Sequence, residues 1–351
     1  MKKINPSRSL AGIKFWIISA SLVILIAGLK SASNIVTLFL LAILLTAISL
    51  APFDWMKKKG VSDGIAMLII LLVLWIVTSG LVVLLGSSLT NFLATIPSYQ
   101  VKLEGLWESL QKLLIQYNLV EENFDALQQI NPGRALTVAG NVFSGFSSLL
   151  SNSLLIILIF VFMLMEVSSF KNKLALISPD SLGSMDKIVA SLKKYFGIKT
   201  LTSLATGIFV SLGLAIIGVD FPILWGALAF LLNFIPNIGS IIAAVPAVLL
   251  AFLQLPIGYG IATIVLFFAV NFVIGNIAEP KLMGKSLGLS SFVVFISLII
   301  WGWILGTVGM LIATPLTITL KIIFDSREET RNIGILLGDS TAIKEIQKSK
   351  E

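Results

Sequence analysis

Hydrophobic positions along the chain gather into long apolar blocks, and polar positions gather into short, mostly basic segments between them. Six blocks approach or exceed the ~18 apolar residues that predict a membrane-crossing helix. They cover 13–29, 35–53, 64–85, 149–167, 200–218 and 257–278. Residues 91–147 break this pattern with mixed positions, too many for a plain connection. Within them Leu103, Leu106, Trp107, Leu110, Leu113, Leu114 and Tyr117 recur at helical spacing, with Glu104, Glu108, Gln111 and Lys112 between, which predicts an amphipathic helix. "NPGRAL" at 131–136 reads as a helix start with proline in the first turn. A small helical cap packed on its own core accounts for this excursion, and so does a lid over a pathway.

Two apolar stretches carry internal damage. In 221–253 the run "NFIPNIGSIIAAVPAVLL" interrupts hydrocarbon-compatible sequence with prolines, glycine and amides. Proline removes a backbone donor and glycine allows turn geometry, so the run divides near Pro236–Gly239. The pieces 221–235 and 240–253 would each be about 21–23 Å long as helix, short of a ~30 Å hydrocarbon core. The run 288–323 has the opposite problem, at about 54 Å as one helix. A fold near Gly306–Gly309 resolves it. Both stretches are therefore expected to be re-entrant helical hairpins. The alternative, a single kinked span in each place, would move Lys281 and Lys285 to the other side of the membrane.

Charge supports the hairpins. With the N-terminus cytoplasmic, all but Lys30, Lys102, Lys112 and Arg134 of the 25 lysines and arginines fall on the cytoplasmic side, a strong orientation signal. The basic N-terminal segment then reads as the flank of an uncleaved first span. Residues 168–199 read as a basic cytoplasmic loop. A span plus a broken stretch (200–253) is followed by a second such unit running the other way (257–323). Inverted repeats with interrupted helices mark midplane sites in secondary transporters.

The expected fold class is an all-α polytopic membrane protein, with about six full spans, two broken or re-entrant hairpins in inverted repeat and an extracellular helical excursion. The divisions are 1–90 (three spans), 91–147 (excursion), 148–199 (fourth span and loop), 200–323 (transport core) and 324–351 (cytoplasmic polar tail).

Composition narrows the chemistry. Hydrophobic residues make up 57% of the chain and charged residues 12%, and histidine and cysteine are absent. Thiol and histidine chemistry are excluded, no metal site or cofactor is expected, and no phosphate-binding "GxxxxGK[ST]" loop occurs. The net charge of +7 is spent on orientation and does not call for nucleic acid. No enzymatic activity is expected. The expected partners are the lipid bilayer, a small polar solute, a proton or sodium ion for coupling, and a second copy of the chain.

The candidate pathway residues are polar or backbone-shaping groups at membrane depth: Asn233, Pro236, Asn237, Gly239, Asn271, Asn276, Gly306, Gly309 and Pro315. Asn233 and Asn237 can equally serve only to hold their own turn, and Asn271 and Asn276 can be helix-packing glue. Glu279 and Glu166, each at a span end, are candidate coupling carboxylates. The plain reading pairs Glu279 with Lys281 and Glu166 with Lys171 at a solvated interface. The hairpin tips are expected to meet around a wet chamber.

"NFIPNIGSIIAAVPAVLLAF", and then "NFVIGNIAEPKLMGKSLGLSSFVVFISLIIWGWILGTVGMLIATPLTITLKII", resemble the C-terminal half of the AI-2E (autoinducer-2 exporter) family of bacterial transporters. The resemblance implies a multi-pass protein of the bacterial cytoplasmic membrane. Family members are associated with autoinducer-2 export, and some with sodium(lithium)/proton antiport. It also carries the motif positions Pro236, Asn237, Gly239, Pro246, Glu279, Pro280, Gly284, Gly309 and Pro315. A non-transporting membrane scaffold, using the excursion as its working surface, stands as an alternative from another class.

Overall fold

The computed structural model describes residues 6–117, 152–177, 182–236, 238–283 and 288–339. The "NPGRAL" helix start, Asn237, Gly284 and the tail after Asp339 lie outside the described residues. In chain order the helices are α1 (Pro6–Ser31), α2 (Ser33–Lys58), α3 (Asp63–Gln116), α4 (Ser153–Ile177), α5 (Leu182–Ile217), α6 (Pro222–Leu232), α7 (Gly239–Gln254) and α8 (Ile257–Asn271). A π-helical stretch, Phe272–Ala278, leads into α9 (Glu279–Met283), followed by α10 (Ser291–Asp325) and α11 (Arg331–Leu337). An isolated bridge, Leu289 with Gly338, is the one β-type pairing among the described residues.

The protein is an all-α polytopic membrane protein. Five described stretches are long and apolar enough to cross a bilayer: Ser33–Lys58, Asp63–Gly80, Leu182–Ile217, Ile257–Met283 and Ser291–Asp325. Shorter apolar helix, Trp16–Ser31 and Ser153–Glu166, occupies the places of the expected first and fourth spans.

Both damaged stretches double back. For the first, α6 and α7 are about 16 and 24 Å long, and neither crosses a bilayer alone. Their far ends are bonded together, because the Asp220 amide donates to Gln254 Oε1 at 3.0 Å. The second, α10, contains one non-helical residue, Gly306, at φ 66°, ψ −150°. In a continuous helix Trp301 and Thr317 would be about 24 Å apart. Instead Trp301 Nε1 donates to Thr317 Oγ1 at 3.3 Å. A Cβ on Gly309 would collide with the Trp301 carbonyl oxygen, so the two arms touch immediately beyond the tip.

The hairpins are rooted at opposite ends of the molecule. α6 descends antiparallel to α5, with Pro222 held by Ser211 and Asn233 reaching Ser203. The roots of the second hairpin, Leu289 and Ile322, pack with Phe196 in the other half of α5. Close approach of α6 to α5 depends on small residues. A Cβ on Gly226 would meet Ser211 Oγ and, at 2.5 Å, the Gly207 carbonyl. Helices associate in lipid through such close packing, because apolarity alone does not draw them together there.

Three expectations change. The third span and the amphipathic helix are one rod, α3, about 80 Å long, so the division at residue 90 falls inside a continuous helix. The basic loop 168–199 is largely helical, being the ends of α4 and α5, because leucine and aromatic positions at helical spacing continue the spans past their charged ends. Among the described residues the first tip packs against apolar side chains in the arms of the second hairpin, where a wet chamber was expected. Leu232, Ile235 and Ala243 of the first hairpin share one apolar cluster with Leu298 and Ala313 of the second.

Candidate functional site

One turn along α5 from the first hairpin tip, the structure buries a charge. Lys199, on the fourth turn past the start of α5, is 4% exposed. Its ammonium donates to both carboxylate oxygens of Glu279, at 2.7 and 2.8 Å. Thr202 Oγ1 adds a longer contact to the same carboxylate at 3.4 Å. Tyr195, Lys199, Thr202 and Thr206 recur at helical spacing and are all buried, so α5 turns a polar stripe toward its neighbours. Taking two charges out of water is expensive, and it is tolerated only where they face each other with their hydrogen bonds made.

Glu279 reaches Lys199 because of the π-helical stretch before it. Seven residues, Phe272–Ala278, are wound more loosely than α-helix, which resets the direction in which the next residue points. Such insertions cluster at functional sites.

Beside the pair lie further buried hydroxyls. The Tyr195 hydroxyl lies next to Thr314 of the second hairpin and in the field of Glu279. Tyr195 and Thr314 bury their hydroxyls against each other, and Thr200, nearby in sequence, buries a third. Hydroxyls held beside a buried ion pair give the site groups that can both donate to and accept from a polar ligand.

The first hairpin tip is built from its own residues and α5. Asn233 Nδ2 donates to Ser203 Oγ at 3.0 Å, both groups buried. The Pro236 carbonyl accepts from the Ile238 amide at 2.7 Å, closing the turn. Gly239 opens α7, where any Cβ would strike the Leu232 carbonyl. Asn233 therefore satisfies a neighbouring helix and not merely its own turn.

The remaining candidates are dispersed. Asn271 ends α8 half-buried, its Oδ1 3.1 Å from where a Gly275 Cβ would stand, and Asn276 is exposed. Gly306 is exposed at the second tip, and Gly309 and Pro315 are buried behind it. Glu166 is exposed and pairs with Lys173 at 2.5 Å. It stands at the rim of a cavity of about 540 Å³ between α2, α4, α5 and α10, lined by Leu44, Ala47, Phe196, Ile312 and Pro315 among others. Glu279 turns from Lys281 to Lys199, because the π-helical register aims it inward.

The AI-2E family transporter profile matches residues 19–328. The chain belongs to this family. Among AI-2E relatives, a protein of Haemophilus influenzae (strain ATCC 51907 / DSM 11121 / KW20 / Rd) named "Putative transport protein" is 38% identical, over 96% of this chain and 97% of its own length. "Putative transport protein YhhT" of Escherichia coli (strain K12) is 37% identical, over 95% of this chain and 97% of its own. "AI-2 transport protein TqsA" of the same strain is 34% identical, over 95% and 98%. AI-2E membership and the apolar helices together make this a multi-pass protein of the bacterial inner membrane.

Sequence reasoning missed Lys199, Ser203, Tyr195 and Thr314. A lysine at the edge of an apolar block reads as a snorkelling flank. The legible signal was the polar stripe 195–199–202–206, which continues the helical period of the span.

Proposed function

We propose that the protein is a secondary transporter that exports a small polar solute of the AI-2 class by alternating access. The N-terminus lies in the cytoplasm, as the distribution of lysine and arginine supports. The observation that carries the reading is the buried Lys199–Glu279 pair with the Tyr195 hydroxyl beside it, set next to two hairpins rooted at opposite ends. The hydroxyls of Tyr195, Thr314 and Thr202 would take the solute's polar groups, and the ion pair would open and close as a proton or solute passes. The name of the TqsA relative supports the solute class, since that protein is called an AI-2 transport protein.

Sodium(lithium)/proton antiport requires a carboxylate able to accept the ion. Glu279 is already neutralised by Lys199, which favours solute transport over cation exchange. A scaffold role is weakened by the same polar site, which a passive scaffold would not need.

Flux of labelled AI-2 in proteoliposomes, with and without a proton gradient, tests the reading. Glu279→Gln should reduce flux at least tenfold. Full flux in that variant would remove the pair from the mechanism, and no flux above empty vesicles in the native protein would refute AI-2 export.

A further inference from the structure

At the end opposite the hairpin-2 roots, α3 is tied to both ends of the first hairpin by a closed set of hydrogen bonds. Tyr99, on the part of α3 beyond its membrane-spanning segment, donates to Asp220 Oδ2 at 3.0 Å. Gln254, at the last turn of α7, donates through Nε2 to the Tyr99 hydroxyl at 2.7 Å and to Asp220 Oδ2 at 2.5 Å. The Asp220 amide returns a bond to Gln254 Oε1, and Trp225 Nε1 donates to the Asp220 carbonyl at 3.0 Å. Beneath them Phe92 of α3 meets Phe221 and Trp225 edge-on, at 5.8 and 5.2 Å between ring centroids.

Phe221 sits in the centre of this arrangement at φ 58°, ψ 44°. It is the one residue other than glycine with positive φ among the described residues. A bulky side chain resists that conformation, and such strain persists only where the surroundings over-determine it. The contacts hold the strain, and breaking them releases it, which is what a two-position element requires. The other end of the molecule is unlike this one: the cavity of about 540 Å³ lies there, between α2, α4 and the second hairpin.

We infer that Tyr99, Asp220 and Gln254 form the extracytoplasmic gate of the transporter, a latch that α3 closes over the root of the first hairpin. This rests on the transport reading above. The solute loads from the cytoplasmic side while the latch is shut. Opening to the outside requires α3 and the hairpin root to part and Phe221 to leave its strained conformation. The three residues are positioning residues: they control access and do not touch the solute.

Two arms test the latch in the full chain, which has no native cysteine. In the first, Tyr99→Cys and Gln254→Cys are joined by a short, reducible, bifunctional thiol reagent. AI-2 flux in proteoliposomes should fall at least tenfold on joining and recover on reduction. Unchanged flux in the joined protein would overturn the proposal. In the second, Ala247→Cys places a thiol in the buried face of α7. Its labelling by a charged, impermeant reagent from the extracytoplasmic side should be about tenfold faster for each charge-assisted bond removed by Tyr99→Phe and Asp220→Asn. Equal labelling rates with and without those changes would overturn it. If the native protein carries no AI-2, the solute reading fails and the labelling arm alone decides the latch.

Discussion

Replacing Lys199 by methionine keeps most of its length and its unbranched apolar stem and removes its charge. The Glu279 carboxylate, 16% exposed, then loses both close hydrogen bonds and keeps only the 3.4 Å contact to Thr202. Stranding one member of a buried pair costs about 3–5 kcal/mol. Replacing both members by apolar residues of similar volume is commonly neutral or stabilising, by about 1–4 kcal/mol. Lys199→Met should therefore unfold at lower temperature than the native protein in detergent, and Lys199→Met with Glu279→Met should regain native stability or exceed it. Flux should not follow stability: both variants should be near background in proteoliposomes. Native stability in the single variant would show that the pair is hydrated rather than buried. Native flux in the double variant would show that the pair only holds the fold, and the mechanism proposed here would lose its centre.

Gly306→Ala should destabilise the protein by about 1–3 kcal/mol in thermal or denaturant unfolding, because φ 66°, ψ −150° is open essentially to glycine alone. Gly226→Leu should pry α6 from α5, since its Cβ has no room against Ser211 and Gly207; a cysteine at Ser203 should then react faster with thiol reagents than in the Gly226 background. Asn233→Leu should cost about 1–2 kcal/mol in unfolding measurements, by leaving the Ser203 hydroxyl buried without its donor. Burial at the latch pushes the Tyr99 hydroxyl up to about 12. The fold thus favours its neutral form, and the stability this residue contributes is present below pH 10 and lost as pH rises from 10 to about 12; Tyr99→Phe should flatten thermal midpoints over that window.

The hairpins were legible because hydrocarbon thickness is a ruler. Pieces too short at 221–253 and a run too long at 288–323 admit few solutions, and Gly306 marks the second turn. Glu279 was legible as a carboxylate at a span end. Its partner was not, because a lysine bordering an apolar block obeys the same statistics whether its ammonium reaches water or a buried carboxylate. The π-helical turns at 272–278 left no trace in hydropathy, since the pattern of apolar residues there suits either winding. The single rod of α3 was hidden by the change from uniform apolarity to an amphipathic stripe near residue 90, because a helix can continue through a change in its surroundings. The latch residues Asp220 and Gln254 are 34 positions apart, and only the hairpin brings them together.

The loosened winding at 272–278 makes this protein sensitive to a kind of change that leaves its chemistry untouched. Apolar replacements that let the same seven residues wind as ordinary helix would keep the segment greasy and preserve every polar side chain in the protein. The extra winding, about one residue's 100° across the stretch, would however turn the carboxylate away from its ammonium. What this transporter must keep here is a winding rather than a composition, and apolar replacements that favour ordinary helix across 272–278 should lower flux more than the same replacements in α8.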